Sequence, residues 1–150
     1  MTTALQIGHI QPVQIHFEDL DAMGVVHNAR YVLLLERALS GYWAEHGWAF
    51  DPTRPHFAEI FFVVREFSIT YHVPISTVGT AAVHFWVEHL GTTSVVYGFR
   101  VLSADHGVVH AEGRRVQVRL DPATLRPSPM SPALRESIQP LVLTAGHLGS

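Results

Sequence analysis

Between Ile60 and Leu120 the chain reads almost entirely as strand, interrupted only by short turns, and this run limits the fold more than any other feature. Phe61 to Val73 sets Phe67, Ile69, Tyr71 and Val73 against Glu66, Ser68, Thr70 and His72, the period-two alternation of a half-buried strand. Thr80 to Leu90, Thr92 to Ser103 and Val108 to Leu120 follow, with turn signals at Gly79, Gly91 and Asp105-His106-Gly107. Parallel neighbours need a long crossover, so strands joined this tightly are antiparallel. Before them, Val13 to Phe17 reads as a short first strand. From Asn28 the period becomes helical, with Tyr31, Leu34, Leu35, Ala38, Tyr42 and Trp43 recurring at three- and four-residue steps. Asn28 is the expected N-cap and Gly47 the expected stop. Val32, Leu33 and Leu39 make this helix apolar around much of its circumference, as expected of a helix buried on more than one side.

One strand, one buried helix and four long antiparallel strands define an α+β fold with the helix against one face of a curved sheet. Two architectures satisfy that pattern, a hot-dog fold and a cone-shaped fold of the nuclear-transport-factor type. Trp48 to Glu59, with two prolines, reads as a loop. The expected organisation is one domain over residues 1–150, with a core at about 11–130 and a tail at 131–150. That tail holds a short helix from Ser131 to Gln139 and a loose end, TAGHLGS.

Composition removes several function classes. There is no cysteine, hence no thiolate nucleophile and no cysteine-bound metal. All ten basic residues are arginine, so no lysine can form a Schiff base. A net charge of −3 argues against a nucleic-acid partner. No run approaches a membrane span, and MTTALQIGHI lacks the pattern of a signal peptide, so the expected setting is cytoplasmic without membrane contact. Eleven histidines invite a metal reading. However, His84 and His89 are five apart in a strand and should face opposite ways, and no HExxH motif is present. No metal site is expected, nor is there a GxSxG elbow, a P-loop or a GxGxxG.

The stretch FEDLDAMGVVHNARYVLLLERA strongly resembles the start of the 4-hydroxybenzoyl-CoA thioesterase family of hot-dog proteins, in particular its acyl-CoA thioesterase branch. The resemblance continues through FFVVREFSITYHVPISTVGT, HLGTTSVVYGFRV and VRLDPATLRPSP, covering most of residues 11–130 in order. It implies a hot-dog fold, a long antiparallel sheet wrapped around one central helix. It also implies hydrolysis of an acyl- or aroyl-CoA, with CoA part of the substrate and no other cofactor. The second aspartate of the family's D-x-D pattern is catalytic, which carries over to Asp21. The backbone N–H that polarises the thioester carbonyl falls at Asn28. The family forms homodimers joined edge to edge, often paired into homotetramers, with active sites at the dimer interface.

The residues are compatible with these roles. A helix start offers free N–H groups and a partial positive charge to a carbonyl oxygen. Asp21 lies seven residues before Asn28, and Gly24 lets the loop between them fold back. Asp21 either attacks the carbonyl carbon or activates water. Glu18 and Asp19 are expected to be loop residues facing water or capping a turn. Glu36, about 12 Å along the helix from Asn28, is expected on the helix surface or at an interface. Glu36 and Arg37 can each pair with groups elsewhere, and exposed pairs of that kind are worth little. Substrate-binding candidates are Gly24, His27, Tyr31, Phe61, Val63 and Arg65, with Leu35 and Phe62 beside them in the acyl pocket. Arg65, Arg100, Arg114 and Arg115 are candidates for phosphate contact. The rival readings are release of an acyl or polyketide chain from an acyl carrier protein, and a non-catalytic protein that binds an acyl or aromatic ligand.

Overall fold

Residues 7–49 and 51–143 are described by the computed structural model. TAGHLGS lies outside them. Five strands form one antiparallel sheet: β1 (His9–Ile15), β2 (Phe62–Tyr71), β3 (Gly79–Leu90), β4 (Ser94–Ser103) and β5 (Val109–Arg119), in the order β1-β3-β4-β5-β2. The expected antiparallel succession therefore holds for β3, β4 and β5, while β1 and β2 take the two edges. A 3₁₀ turn, Asn28–Arg30, leads into helix α1 (Tyr31–Glu45). Gly47, at φ +86, ends it as expected.

The concave face of the sheet receives α1. Tyr31, Leu34, Leu35, Ala38, Leu39, Tyr42 and Trp43 are its buried residues, a stripe at helical spacing. They meet inward residues of the sheet, among them Val13 and Ile15 of β1, Val83 and Phe85 of β3, Tyr97 and Phe99 of β4 and Ala111 of β5. Tyr42 packs edge-on against both Trp43 and Phe85, with centroids at 4.9 and 5.4 Å. Burying each leucine of this stripe contributes about 2 kcal/mol.

The core extends beyond residue 130. Helix α2 (Pro132–Ile138), capped by the Ser131 hydroxyl accepting from Leu134 N–H at 3.2 Å, buries Leu134 and Ile138. Leu141 is also buried, and Leu143 N–H donates to the Val87 carbonyl at 2.9 Å. Residues 131–143 thus close one end of the space between α1 and the sheet. The proline-bearing segment expected as a loop ends in a 3₁₀ helix, Pro55–Ile60.

Two bulges alter the expected facing of side chains. One lies between Val64 and Glu66 of β2, so Val64 and Phe67 share a face despite their odd separation. The other lies between Val87 and His89 of β3. It returns Leu90 to the core side three residues after Val87, so five-residue spacing does not set His84 and His89 on opposite faces. His84 is fully buried, and that burial lowers its pKa.

Candidate active site

The loop between β1 and α1 folds back on itself. Asp21 N–H donates to the Val25 carbonyl at 2.8 Å, and Gly24 N–H to the Asp21 carbonyl at 3.0 Å. A single bridge joins Leu20 to Val26, and Gly24 has φ +79, the left-handed conformation that favours glycine. Val26 N–H then donates to the Ile75 carbonyl at 2.8 Å, fixing the loop to the segment that precedes β3.

At the tip of this loop, Asp21 Oδ1 accepts from Met23 N–H at 2.8 Å and more weakly from Val25 N–H at 3.4 Å. Its Oδ2 has no protein partner among the described residues. Asp21 shares an open cleft of about 330 Å³ with Asn28, Tyr31, Tyr71, His72 and Pro74. The cap of the following turn is His27 rather than Asn28, because His27 Nδ1 accepts from Ala29 N–H at 3.0 Å. That displacement leaves Asn28 as the first residue of the turn. Its N–H has no protein acceptor among the described residues, one of the orphan donors of a helix start. Tyr71 O–H donates to the Asn28 carbonyl at 3.0 Å, so the edge strand β2 steadies the mouth of the helix. The Tyr31 and Tyr71 rings meet edge-on at 5.1 Å. Burial raises the Tyr31 pKa, keeping this wall of the cleft a neutral phenol.

Glu18 is exposed, as expected, whereas Asp19 is not. Asp19 is fully buried; its Oδ2 accepts from Arg37 Nη1 at 2.9 Å and from His16 N–H at 2.8 Å, and its Oδ1 from Arg37 Nη2 at 3.1 Å. The Arg37 guanidinium lowers the Asp19 pKa, with the His16 N–H acting in the same direction against burial. The Asp19 carbonyl also accepts from His27 N–H at 2.9 Å, so this residue fastens the loop to the helix start twice. Its partner lies eighteen positions away in the sequence, which is why a local reading of an acidic turn missed the clamp.

Of the remaining candidates, Tyr31 lines the Asp21 cleft. Gly24 turns the loop through its bond to the Asp21 carbonyl, and His27 caps the turn without lining the cleft. Phe61, Val63 and Arg65 lie at the other end of β2, roughly 25 Å from Tyr71 along the strand. There Val63 and Arg65 line a shallow cleft with Thr93, Ser94 and Pro127. Leu35 belongs to the core. Two arginines proposed for phosphate are otherwise engaged: Arg100 lies over the Trp86 ring, and Arg114 Nε donates to Glu88 Oε1 at 2.8 Å. Arg115 corrects the expectation outright. It is buried on the concave face, where its Nη1 donates to Glu36 Oε1 at 2.8 Å, so it is not available to a nucleotide. Among the described residues, no three histidine or carboxylate side chains are grouped so as to hold a metal ion.

Residues 23–110, more than half of the chain, match the thioesterase superfamily. The chain belongs to that superfamily. Its match begins just after Asp21, so the loop's aspartates lie outside it. Among similar proteins, the acyl-CoA thioester hydrolase YbgC of Escherichia coli is 28% identical over 116 residues, covering 77% of this chain and 84% of the relative. A crystal structure of protein PA5185 from Pseudomonas aeruginosa superposes with a TM-score of 0.82 at 26% identity, covering 93% and 95% of the two chains. A Thermus thermophilus thioesterase crystallised with coenzyme A and zinc gives 0.70 at 29% identity, covering 87% and 93%. The hot-dog architecture is thereby fixed over the cone-shaped alternative, and the enzyme is a thioester hydrolase. No helix among the described residues is long and apolar enough to cross a membrane.

Proposed function

We propose that this thioesterase hydrolyses acyl-CoA thioesters at the cleft between Asp21 and the mouth of α1. One observation carries the reading: a carboxylate oxygen without a partner and a backbone N–H without an acceptor border the same cleft. The thioester carbonyl oxygen accepts from Asn28 N–H, where negative charge develops as the carbonyl carbon becomes tetrahedral. Asp21 Oδ2 then supplies one of two steps. As nucleophile it forms a mixed anhydride with the acyl carbon, the C–S bond breaks, the thiolate takes a proton, and water cleaves the anhydride to regenerate the carboxylate. As general base it takes a proton from water, whose oxygen attacks the same carbon; the C–S bond then breaks, and the thiolate leaves with that proton as the free acid departs. Neither route calls for a metal.

Gly24, at φ +79, lets the loop turn back beside the cleft, and the Tyr31 ring forms the apolar side on which an acyl group rests. Val63 and Arg65, with Phe61 nearby, would serve only the far end of a bound substrate. The reading includes a homodimer joined at β2. Val63, Val64 and Tyr71 on this edge strand are 40%, 49% and 47% exposed, and an edge carrying apolar side chains calls for cover.

The test uses two substitutions. Asp21→Asn removes the reactive oxygen while keeping a side chain that accepts the Met23 N–H. Asn28→Pro removes the polarising N–H at a position where proline is tolerated, because His27 at φ −61 and ψ 137 already has the conformation a following proline demands. Release of CoA thiol from a panel of short, long and aromatic acyl-CoAs is the readout, with carrier-bound acyl chains in parallel. Full activity in either variant would refute the assigned role, and preference for carrier-bound chains would replace CoA as the leaving group.

A further inference from the structure

A second cavity of about 140 Å³ lies between α1, α2 and the sheet, away from the Asp21 cleft. Trp43, Trp48, Ile60, Phe62, Leu134 and Ile138 give it apolar walls, yet polar groups line one side. Tyr97 and Arg115 are direct cross-strand partners on β4 and β5, so both side chains stand on the concave face. Arg115 Nε and Nη2 donate to Gln117 Oε1 at 3.1 and 2.8 Å, and Nη1 donates to Glu36 Oε1 at 2.8 Å. A guanidinium carries five N–H groups. One on each terminal nitrogen is therefore left without a protein acceptor among the described residues. The Tyr97 oxygen accepts from Trp43 Nε1 at 3.2 Å, but its own proton has no acceptor there. Burial pushes the Tyr97 pKa up to about 12, so that proton stays on.

Gln117 Nε2 adds two donors without an acceptor among the described residues, whereas the free acceptor Glu36 Oε2 belongs to a half-exposed side chain at the opening. The inner part of the cavity thus offers hydrogen-bond donors in excess of acceptors, inside apolar walls. An apolar chain end would leave these buried donors unpaired, which is costly. A carboxylate would bring a charge that the Glu36–Arg115 pair already balances. A neutral oxygen satisfies both conditions. The cavity opens beside Glu36 and Val64, whose side chain and residue are 46% and 49% exposed. Phe67 and Ile69 lie on the same face of β2 between this opening and Tyr71.

Reach fixes the length of the ligand. Glu36 is eight residues beyond Asn28, about 12 Å along the helix. Independently, Tyr71 pairs with Ala111, and Arg115 is four residues further along β5, about 13 Å. The volume holds roughly one six-carbon unit. Resting on the acyl-CoA reading above, we infer that the cavity receives the distal end of a medium-length acyl chain, about ten carbons, bearing a neutral hydroxyl or carbonyl oxygen near its tip, with Tyr97 and Arg115 as its donors. A ring directly attached to the thioester carbonyl is too short to reach them.

The experiment compares kcat/KM of the full chain for ω-hydroxydecanoyl-CoA, decanoyl-CoA, the ω-carboxy analogue and para-hydroxybenzoyl-CoA. Calorimetric binding of the matching thioether analogues, which cannot be hydrolysed, runs beside it. The expected result is a preference of about tenfold or more for the ω-hydroxy chain over the plain chain in both measurements, with the ω-carboxy chain below the ω-hydroxy. Tyr97→Phe and Arg115→Met should each bring that ratio toward one. Equal or reversed preference in the unsubstituted enzyme overturns the inference, as does a stronger preference for the aromatic substrate. These comparisons need no variant to fold. If no acyl-CoA is hydrolysed, the proposed function fails by itself, and the thioether binding ratio still decides the role of the cavity.

Discussion

At the root of the acidic loop Asp19 is buried, with both oxygens bound by Arg37, whereas two residues later Asp21 keeps one oxygen free at the edge of a cleft. The two carboxylates share a loop and a helix but are compensated by different chemistry. A guanidinium neutralises Asp19 and fixes it as structure. Asp21 is oriented only by backbone N–H groups, which aim one oxygen and leave the other available. Cation pairing separates the clamp from the proposed reactive group more clearly than burial alone does.

The contrast breaks most visibly at Asp21. In Asp21→Asn, kcat/KM should fall at least about a thousandfold, while thermal unfolding shifts little; a loss of stability matching that of an Asp19 variant would erase the distinction. Next, Asn28→Pro should fall roughly a hundredfold in kcat below Asn28→Ala, which keeps the N–H. Asp19→Ala reverses the pattern. It should cost about 2–3 kcal/mol in denaturant unfolding, below the full cost of breaking a buried pair because Arg37 is partly exposed.

Acid titration sharpens the same point. The Asp19 pKa is lowered on folding from 3.8, so the unfolded chain binds more protons and the clamp's stability rises with pH. That contribution is complete above the unfolded value and disappears as pH falls below 4 toward the folded value. The acid-induced loss between about pH 5 and 2 should therefore be smaller in Asp19→Ala than in the unsubstituted chain. The smallest effect belongs to Tyr71→Phe, about 1 kcal/mol for one hydrogen bond, with a few-fold drop in kcat as the helix mouth loosens.

The sheet and α1 were legible because their signals are local: alternating runs with Gly or Asp turns on one side, and a three-four spacing from Tyr31 to Trp43 on the other. The Asp21 loop was legible through its resemblance to a family, and Gly24 and the spacing to Asn28 supplied its physical reason. What the sequence hid depends on distant partners. Asp19 reads as a loop acid facing water or capping a turn; its cap on the His16 N–H is there, but Arg37 is too far away in the chain for a local reading to see the clamp. Arg115 reads as a candidate for phosphate contact because its neighbours Glu36 and Tyr97 sit on other elements. Strand periodicity also failed at the β3 bulge, where one extra residue changed the facing of His89 without a glycine or proline to announce it.

The hydrogen bond from Tyr71 to the Asn28 carbonyl links the last residue of an edge strand to the residue whose N–H is proposed to meet the substrate. With the homodimer proposed at β2, assembly and carbonyl activation become thermodynamically linked: whatever seats Tyr71 favours the productive helix mouth, and a bound acyl group favours association to the same degree. Specific activity should then decline on dilution below the dimer dissociation constant, and saturating substrate should move that threshold to lower protein concentration.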